Sequence, residues 1–232
     1  MLTSCTNVKL AHGGMRLRQE DFAAGPERLR ALHDSMSRDL VPAERLYRGQ
    51  QHIRLMRGVH AARTAGHEVS VAIVSAGYGL LGGEDLVASY DCTFQGMSSH
   101  DRQAWAEHLA LPPAVTSALG DPVDLNIVLL GDDYFRACVP TGRLPTVSTT
   151  VVLCGAQTAL RLVPAENVRP VVLSESDTRR FGCGLVGLKG EVAGRLIIRL
   201  ARDPSDLQVL ESESLLDELS NVSTSGQLAV GS

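Results

Sequence analysis

The chain has 232 residues, 44% of them hydrophobic, and a formal net charge of −4. That length is enough for one or two domains with a real core. No apolar run approaches the roughly 20 residues of a membrane span, and no signal-peptide pattern opens the chain, so we expect a cytoplasmic protein without membrane contact. The five cysteines lack CxxC spacing and the seven histidines lack metal-binding spacing, so we expect reduced thiols, no metal and no cofactor.

The charge is unevenly distributed along the sequence. Residues 1–67 contain 11 basic and 6 acidic residues, whereas residues 203–232 contain six acids and no Lys or Arg. Without that tail the chain has 22 basic and 20 acidic residues. The near-neutral average therefore does not exclude nucleic acid as a partner, because a basic N-terminal third suits phosphates. The acidic tail is either a solvated end or a competitor of DNA for basic groups.

The predicted elements alternate between helix and strand along the chain. Polar residues 11–26 predict a long loop or flap, and residues 203–232 predict a poorly ordered tail with a short helix at 215–219 and disorder at its end. Ser98 and Asp101 predict the capped start of a helix. Continuous apolar runs predict buried strands at 69–75, 125–131, 150–155 and 170–174, and apolar residues at helical spacing predict helices at 43–65 and 189–202.

This alternation predicts the fold class. Strands covered on both faces and separated by helices are typical of an α/β domain with a mainly parallel central sheet flanked by helices. We expect one domain over residues 1–202, followed by the acidic tail 203–232, and a monomeric protein.

The densest candidate site lies between residues 74 and 94. A strand ends at Ser75 and is followed by glycines that permit close approach of a ligand, and ligands of open α/β sheets bind beyond the carboxyl ends of strands. Tyr78 offers a ring or a hydroxyl, Asp85 and Asp91 offer carboxylates, and Tyr90 offers a second ring. The alternative is an ordinary turn in which the tyrosines pack and Asp85 caps a backbone group.

Three further segments are candidates. The start of the chain offers hydroxyls, an amide and an ammonium that suit phosphates or base edges, with an N-terminal turn as the alternative. Residues 179–190 form a basic, glycine-rich approach to a helix, which is typical of an anion site but also of a connector. Residues 131–135 place carboxylates and Tyr134 after a strand, where they could equally cap the next helix.

These segments carry a family resemblance. Ser75-Ala76-Gly77-Tyr78-Gly79-Leu80-Leu81, then Asp85, Tyr90 and Asp91, resemble the YG-L-x(4)-D-x-I-x-P-Y signature of the YaaA-like superfamily. Ser4 to Lys9 resemble the SCTKxK start of its DUF6884 branch, Leu46-Tyr47 its LY pair, and Gly131 to Tyr134 its later G-x-x-Y. The resemblance extends over residues 2–202 and is sharpest from 75 to 91.

The sequence departs from that pattern at several positions. Asn7 and Gly77 stand where the family carries lysines, and Gly83 and Ser89 replace prolines. These departures weigh against a lysine Schiff-base mechanism and predict a wider pocket near Tyr78.

The resemblance implies a YaaA-like fold, whose site resembles that of DNA glycosylases, with a role in phage defence or DNA stress. It implies hydrolysis of the N-glycosidic bond of a base, and we expect this to be a modified base, of phage DNA for example, flipped out of double-stranded DNA. We assign Asp91 as the carboxylate that stabilises the sugar cation, attacks C1′ or activates water. Asn7 is expected to hold the base or the water, and Tyr78 to stack on the flipped base. We expect substrate contacts from Ser4, Cys5, Thr6, Lys9, Ser75, Gly77, Gly79, Asp85, Tyr90 and Tyr134, and phosphate contacts from Arg179, Arg180 and Lys189.

Two other functions remain open on sequence grounds. The protein could bind DNA or a modified nucleotide as a sensor without catalysis. It could also be a deoxyribosyltransferase that acts on free nucleotides.

Overall fold

The computed structural model describes residues 1–10 and 16–222, which form a mixed α/β structure. In chain order the strands are β1 (Leu2–Ser4), β2 (Leu17–Arg18), β3 (Val41–Pro42), β4 (Ala72–Ser75), β5 (Gly79–Gly82), β6 (Leu86–Val87), β7 (Tyr90–Asp91), β8 (Asn126–Leu129), β9 (Thr150–Cys154) and β10 (Val168–Val172). The helices are α1 (Gln19–Ala23), α2 (Pro26–Ser35), α3 (Ala43–Leu46), α4 (Gln50–Thr64), α5 (Ser99–His108), α6 (Leu111–Gly120), α7 (Asp132–Cys138), α8 (Ala156–Arg161), α9 (Asp177–Phe181), α10 (Leu185–Arg202) and α11 (Leu215–Ser220), with a 3₁₀-helix at Asp206–Glu211.

A six-stranded, mainly parallel sheet forms the centre of the fold, in the order β10-β9-β8-β1-β4-β5. Every neighbouring pair is parallel except β4 and β5. The first strand lies in the middle, where Thr3 pairs with Ile73 on one side and Leu129 on the other. From β1 the chain continues to β4 on one side, and from β8 it continues to β9 on the other side. Such a reversal of direction between two neighbouring strands leaves a crevice at their carboxyl ends. The predicted α/β class with a mainly parallel sheet is confirmed.

Two long helices, α4 and α10, pack closely and in parallel. Glycines allow this approach: a Cβ atom at Gly58 would lie 2.6 Å from the Cα of Gly194, and one at Gly194 would lie 2.8 Å from the Arg54 carbonyl oxygen. Gly187 faces the Gln50 side chain at the N-terminal end of the pair. Both helix N-termini therefore lie at the same end of the pair, where their partial positive charges add.

The four predicted core strands are confirmed as β4, β8, β9 and β10, with slightly different bounds. The predicted cap is confirmed, since Ser98 Oγ accepts the Asp101 N–H at 3.1 Å. The predicted helix at 189–202 is confirmed but begins earlier, at Leu185.

The prediction of one helix over residues 43–65 is wrong, because the chain is extended between α3 and α4. Lys9 forms a β-bridge with Tyr47, and residues 8–10 exchange backbone hydrogen bonds with residues 46–48. The Gly49 N–H donates to Thr6 Oγ1. These long-range bonds replace the helical ones that local spacing predicts.

The prediction of a loop over residues 11–26 is wrong from residue 17 onward, and residues 11–15 lie outside the described residues. Leu17 is fully buried because β2 pairs with β7, and Phe22 of α1 is buried as well. The loop prediction failed because this pairing partner lies more than 70 residues away along the chain.

The acidic tail contains the predicted short helix, which is confirmed as α11. Leu215 and Leu219 are buried, as are Val209 and Leu210 of the 3₁₀-helix. The predicted disordered end, residues 223–232, lies outside the described residues, and the boundary at residue 202 stays a prediction. Among residues 1–10 and 16–222, no helix combines the length and apolarity needed to cross a membrane.

Candidate functional site

Three predicted segments come together at the carboxyl ends of β1, β4 and β8. Cys5 follows β1 and its N–H donates to the Val74 carbonyl at 2.8 Å. Its thiol lies 3.1 Å from the hydroxyl of Tyr134, which α7 presents just after β8. The start of the chain, the glycine-rich segment and the segment after β8 therefore form one site.

A buried network of hydroxyls forms the floor of this site. The Ser75 hydroxyl donates to the Tyr90 hydroxyl at 2.8 Å, and the Tyr90 and Tyr47 hydroxyls are 3.0 Å apart. Ser75 Oγ also accepts the N–H groups of Gly77 and Tyr78. Because every hydroxyl has a partner, the network holds the end of β4, the strand β7 and the extended segment before α4 in a fixed arrangement.

Burial controls the protonation of these groups. It raises the pKa of Tyr47, Tyr90 and Tyr134 well above the usual value of 10, and the neighbouring Cys5 contributes to each rise. Burial also raises the pKa of Cys92 to about 12, against the effect of Lys9. At neutral pH the floor is therefore uncharged and serves as a set of hydrogen-bonding groups rather than as bases.

Lys9 is the cation above this floor. Its Nζ lies 4.1 Å from the centre of the Tyr90 ring, a favourable cation–π distance. Burial lowers the pKa of Lys9, while the nearby Cys5, Asp91 and Cys92 raise it less strongly. Within the described residues Lys9 has no ion pair.

Asp91 lies at the edge of the site, one residue after the ring that Lys9 covers. It is exposed, and its charge acts on Lys9. The exposed Asn7 belongs to the same loop as Lys9, and its amide lies 3.5 Å from the side-chain oxygen of Gln95. Both residues assigned to catalysis can therefore be reached from solvent, next to a cation.

Tyr78, the third residue assigned to catalysis, is packed into the structure. Its hydroxyl accepts the Ala88 N–H at 3.0 Å and lies 2.9 Å from His33 Nε2. Its ring makes edge contacts with Phe22 and Tyr90, at centroid distances of 4.8 and 5.4 Å. This environment favours a positioning role over stacking on a base.

The wider pocket expected near Tyr78 is wrong, because Phe22 fills that space. A Cβ atom at Gly77 would lie 2.7 Å from the Phe22 ring. The residue that replaces the family's lysine thus accommodates an aromatic side chain from α1.

Most of the other residues predicted to contact substrate have structural roles. Gly79 has φ +80° and faces the Leu109 carbonyl, so a side chain there would be strained. Asp85 Oδ2 accepts the Gly82 N–H at 2.8 Å and so closes the turn after β5. Thr6 Oγ1 accepts the Gly49 N–H at the break before α4, and Ser4 is buried in β1.

The three residues predicted to bind phosphate do not form one group. Lys189 donates to the Leu130 carbonyl at 2.6 Å, and burial lowers its pKa. Arg180 lies 3.2 Å from Asp217 of α11, and Arg179 is exposed. Lys189 thus lies at the carboxyl end of β8, whereas the two arginines lie at the surface of α9.

Comparison with known families adds one finding. A family of unknown function, DUF6884, matches residues 35–163, which is more than half of the chain. The chain belongs to the DUF6884 family. No curated protein and no solved structure matches it significantly. The family match includes Tyr47, Ser75, Tyr90, Asp91 and Tyr134, but not the loop that carries Lys9.

Several residues of this DUF6884 site were not predicted as site residues. Tyr47 completes the hydroxyl network, His33 holds Tyr78, and Cys92 lies near Lys9. The LY pair at residues 46–47 could have indicated Tyr47 as a site residue. The position of Cys92 directly after Asp91 could have indicated its thiol as part of the site. Nothing in the sequence near His33 indicates its contact. Within the part of the chain that the structure describes, no three His, Cys, Asp or Glu side chains form a metal-binding group.

Proposed function

We propose that this DUF6884 protein is an N-glycosyl hydrolase that removes a modified base from DNA and leaves an abasic site. The observation that carries the proposal is the exposed carboxylate of Asp91, at the edge of the crevice and close enough for its charge to act on Lys9. An acid at the edge of such a crevice, next to a rigid neutral floor, suits a reaction that develops positive charge on a sugar.

The chemistry assigns a distinct task to each residue. The base must first leave the duplex stack, because its glycosidic bond cannot be reached there. As the bond breaks, the sugar gains positive charge, which Asp91 stabilises while it directs water to C1′. Asn7 holds the water or the base edge, and Tyr78, fixed by His33 and Ala88, keeps the β4–β5 turn in place behind them.

Exposed arginines near the site support a polyanionic substrate. Arg16 is close enough to influence Lys9, Arg18 is in register with Asp91, and the Arg48 backbone is bonded to Val8 of the Lys9 loop. All three are exposed and have no ion pair within the described residues. Phosphate contacts from such side chains would position DNA over the crevice.

The direct test replaces Asp91 by Asn. We expect base release to fall by about 10²–10⁴-fold, the usual contribution of a positioned acid or base, with unchanged DNA affinity. The assay incubates base-modified duplexes with the protein and reveals abasic sites by alkali. The matched control is Asp124→Asn, which alters an exposed acid that has no ion pair within the described residues.

Other outcomes would reject the proposal. Full activity of Asp91→Asn would remove Asp91 from the mechanism. Tight DNA binding by the wild-type protein without abasic sites on any substrate would favour a sensor. Base release from mononucleotides but not from DNA would indicate a transferase or hydrolase of free nucleotides.

The acidic tail provides a second prediction. Asp217 pairs with Arg180, and Arg199 pairs with Asp206 and Glu218, so tail acids occupy cations that could bind phosphate. Asp217→Asn should tighten DNA binding modestly, by no more than the roughly 1 kcal/mol of a surface ion pair, and less at high salt. Fluorescence anisotropy at two salt concentrations measures this effect.

The control for that variant is Glu213→Gln, an exposed tail acid with no ion pair within the described residues. Equal affinity of the two variants would show that Asp217 does not compete with DNA. Deleting residues 203–232 is a poorer test, because it removes the buried Val209, Leu210, Leu215 and Leu219.

A further inference from the structure

We propose that Lys9 is an amine nucleophile that forms a Schiff base with the C1′ aldehyde of an abasic site and thereby cleaves the DNA strand. This inference rests on the proposed function, because the abasic site is the product of that reaction. It adds a lyase step to the hydrolase and assigns a task to the Lys9 amine above the hydroxyl floor.

The position of Lys9 supports this role. Its backbone is held by the bridge to Tyr47, and its Nζ lies 4.1 Å from the centre of the buried Tyr90 ring. The amine is therefore placed on a rigid platform within the crevice. The absence of lysines at positions 7 and 77 weighs against a Schiff base on sequence grounds. Lys9, however, supplies an amine from the loop that also carries Asn7.

The surroundings of Lys9 are suited to an amine that must lose its proton. Cys5, Asp91, Cys92 and Arg16 are the titratable groups that influence it, and the two thiols are buried. Desolvation outweighs the attraction of Asp91 and lowers the pKa of Lys9, which increases the fraction of neutral amine.

The step balances without a cofactor. The neutral amine adds to C1′ and one of its protons moves to the aldehyde oxygen. With a second proton from solvent this oxygen leaves as water, which gives a protonated imine. The Asp91 carboxylate then removes a C2′ proton, whose electron pair forms the C2′=C3′ double bond as the C3′–O bond breaks and the phosphate leaves. Water finally hydrolyses the imine and regenerates Lys9.

The chain is well suited to a test because it contains only two lysines among its 22 basic residues. The probe is a duplex with one preformed abasic site, treated with the full-length protein and sodium cyanoborohydride, which reduces the imine to a stable adduct. We expect wild-type protein to form the adduct and to nick the strand without reductant. Lys9→Arg should lose both while retaining the fold and the affinity for DNA, measured by circular dichroism and anisotropy.

The control is Lys189→Arg, which changes the other lysine, whose amine is engaged with Leu130. Peptide mapping must place the adduct on Lys9. No adduct with wild-type protein, an adduct that persists in Lys9→Arg, or an adduct mapped to Lys189 or to the Met1 amine would overturn the inference. Since the abasic site is supplied, failure of this test is distinct from failure of base removal, which the Asp91 assay measures.

Discussion

Glu191→Ala is expected to lower the free energy of unfolding by about 3–5 kcal/mol, because it leaves two largely buried arginines without their counter-charge. Glu191 is 5% exposed and receives hydrogen bonds from Arg54 at 2.6 Å and from Arg195 at 2.8 Å. The pair with Arg54 links α10 to α4, so the loss falls on the central helix packing. Urea denaturation of wild type and variant at pH 7 measures it.

The pH dependence of this effect has a definite sign. Burial alone would raise the pKa of Glu191, but hydrogen bonds and charges from Arg195 and Arg54 lower it below the usual 4.5. Its contribution is therefore present above pH 4.5 and is lost as the pH falls through the lower value in the folded state. The stability difference between wild type and Glu191→Ala should shrink in that acidic range.

The control for Glu191→Ala is Asp21→Asn, which removes the charge from a partly exposed pair in which Asp21 lies 3.7 Å from Arg28. Asp21 also accepts the Arg18 N–H, a bond that the Asn side-chain oxygen can retain. Surface pairs of this kind contribute about 0–1 kcal/mol. A Glu191 variant as stable as this control would show that the buried triad does not stabilise the helix pair.

Gly190→Ala is expected to destabilise the fold by about 2–3 kcal/mol, although alanine is the better helix former by about 1 kcal/mol. An added Cβ would overlap the Gln51 backbone carbonyl, which cannot move without shifting α4. Thermal and urea unfolding should both report the loss.

Gly120→Ala provides the matched comparison, since this helical glycine has open space around its Cβ position. That variant should be neutral or slightly stabilising. A stabilised Gly190→Ala protein would mean that α4 and α10 are not in the close contact described above.

The sequence was most informative where structure is local. Residues 150–155 and 125–131 are mostly apolar without alternation, because both faces of β9 and β8 are covered, so the local pattern identifies them as strands. The cap at Ser98 depends on residues three positions apart and was predicted for the same reason.

The failures arise where distant segments meet. The break at residues 47–49 depends on pairing with residues 8–10, and the burial of Leu17 depends on β7. Tyr47 and Tyr90 are 43 positions apart along the chain and Tyr90 and Tyr134 are 44 apart, and only the fold brings the three together at one site. Phe22 fills the space at Gly77 from a segment predicted to be a loop, which is why a larger pocket was expected there.

The central position of β1 has a consequence for how the chain reaches this structure. During synthesis β1 must wait for β4, about 70 residues later, and for β8, about 125 residues later. α4 must wait still longer for α10. Contacts of such long sequence separation slow folding, so we expect the nascent chain to expose apolar strand and helix surfaces until α10 has left the ribosome. Chaperone occupancy during synthesis should therefore be higher for this protein than for proteins of similar size whose contacts are mostly local in sequence.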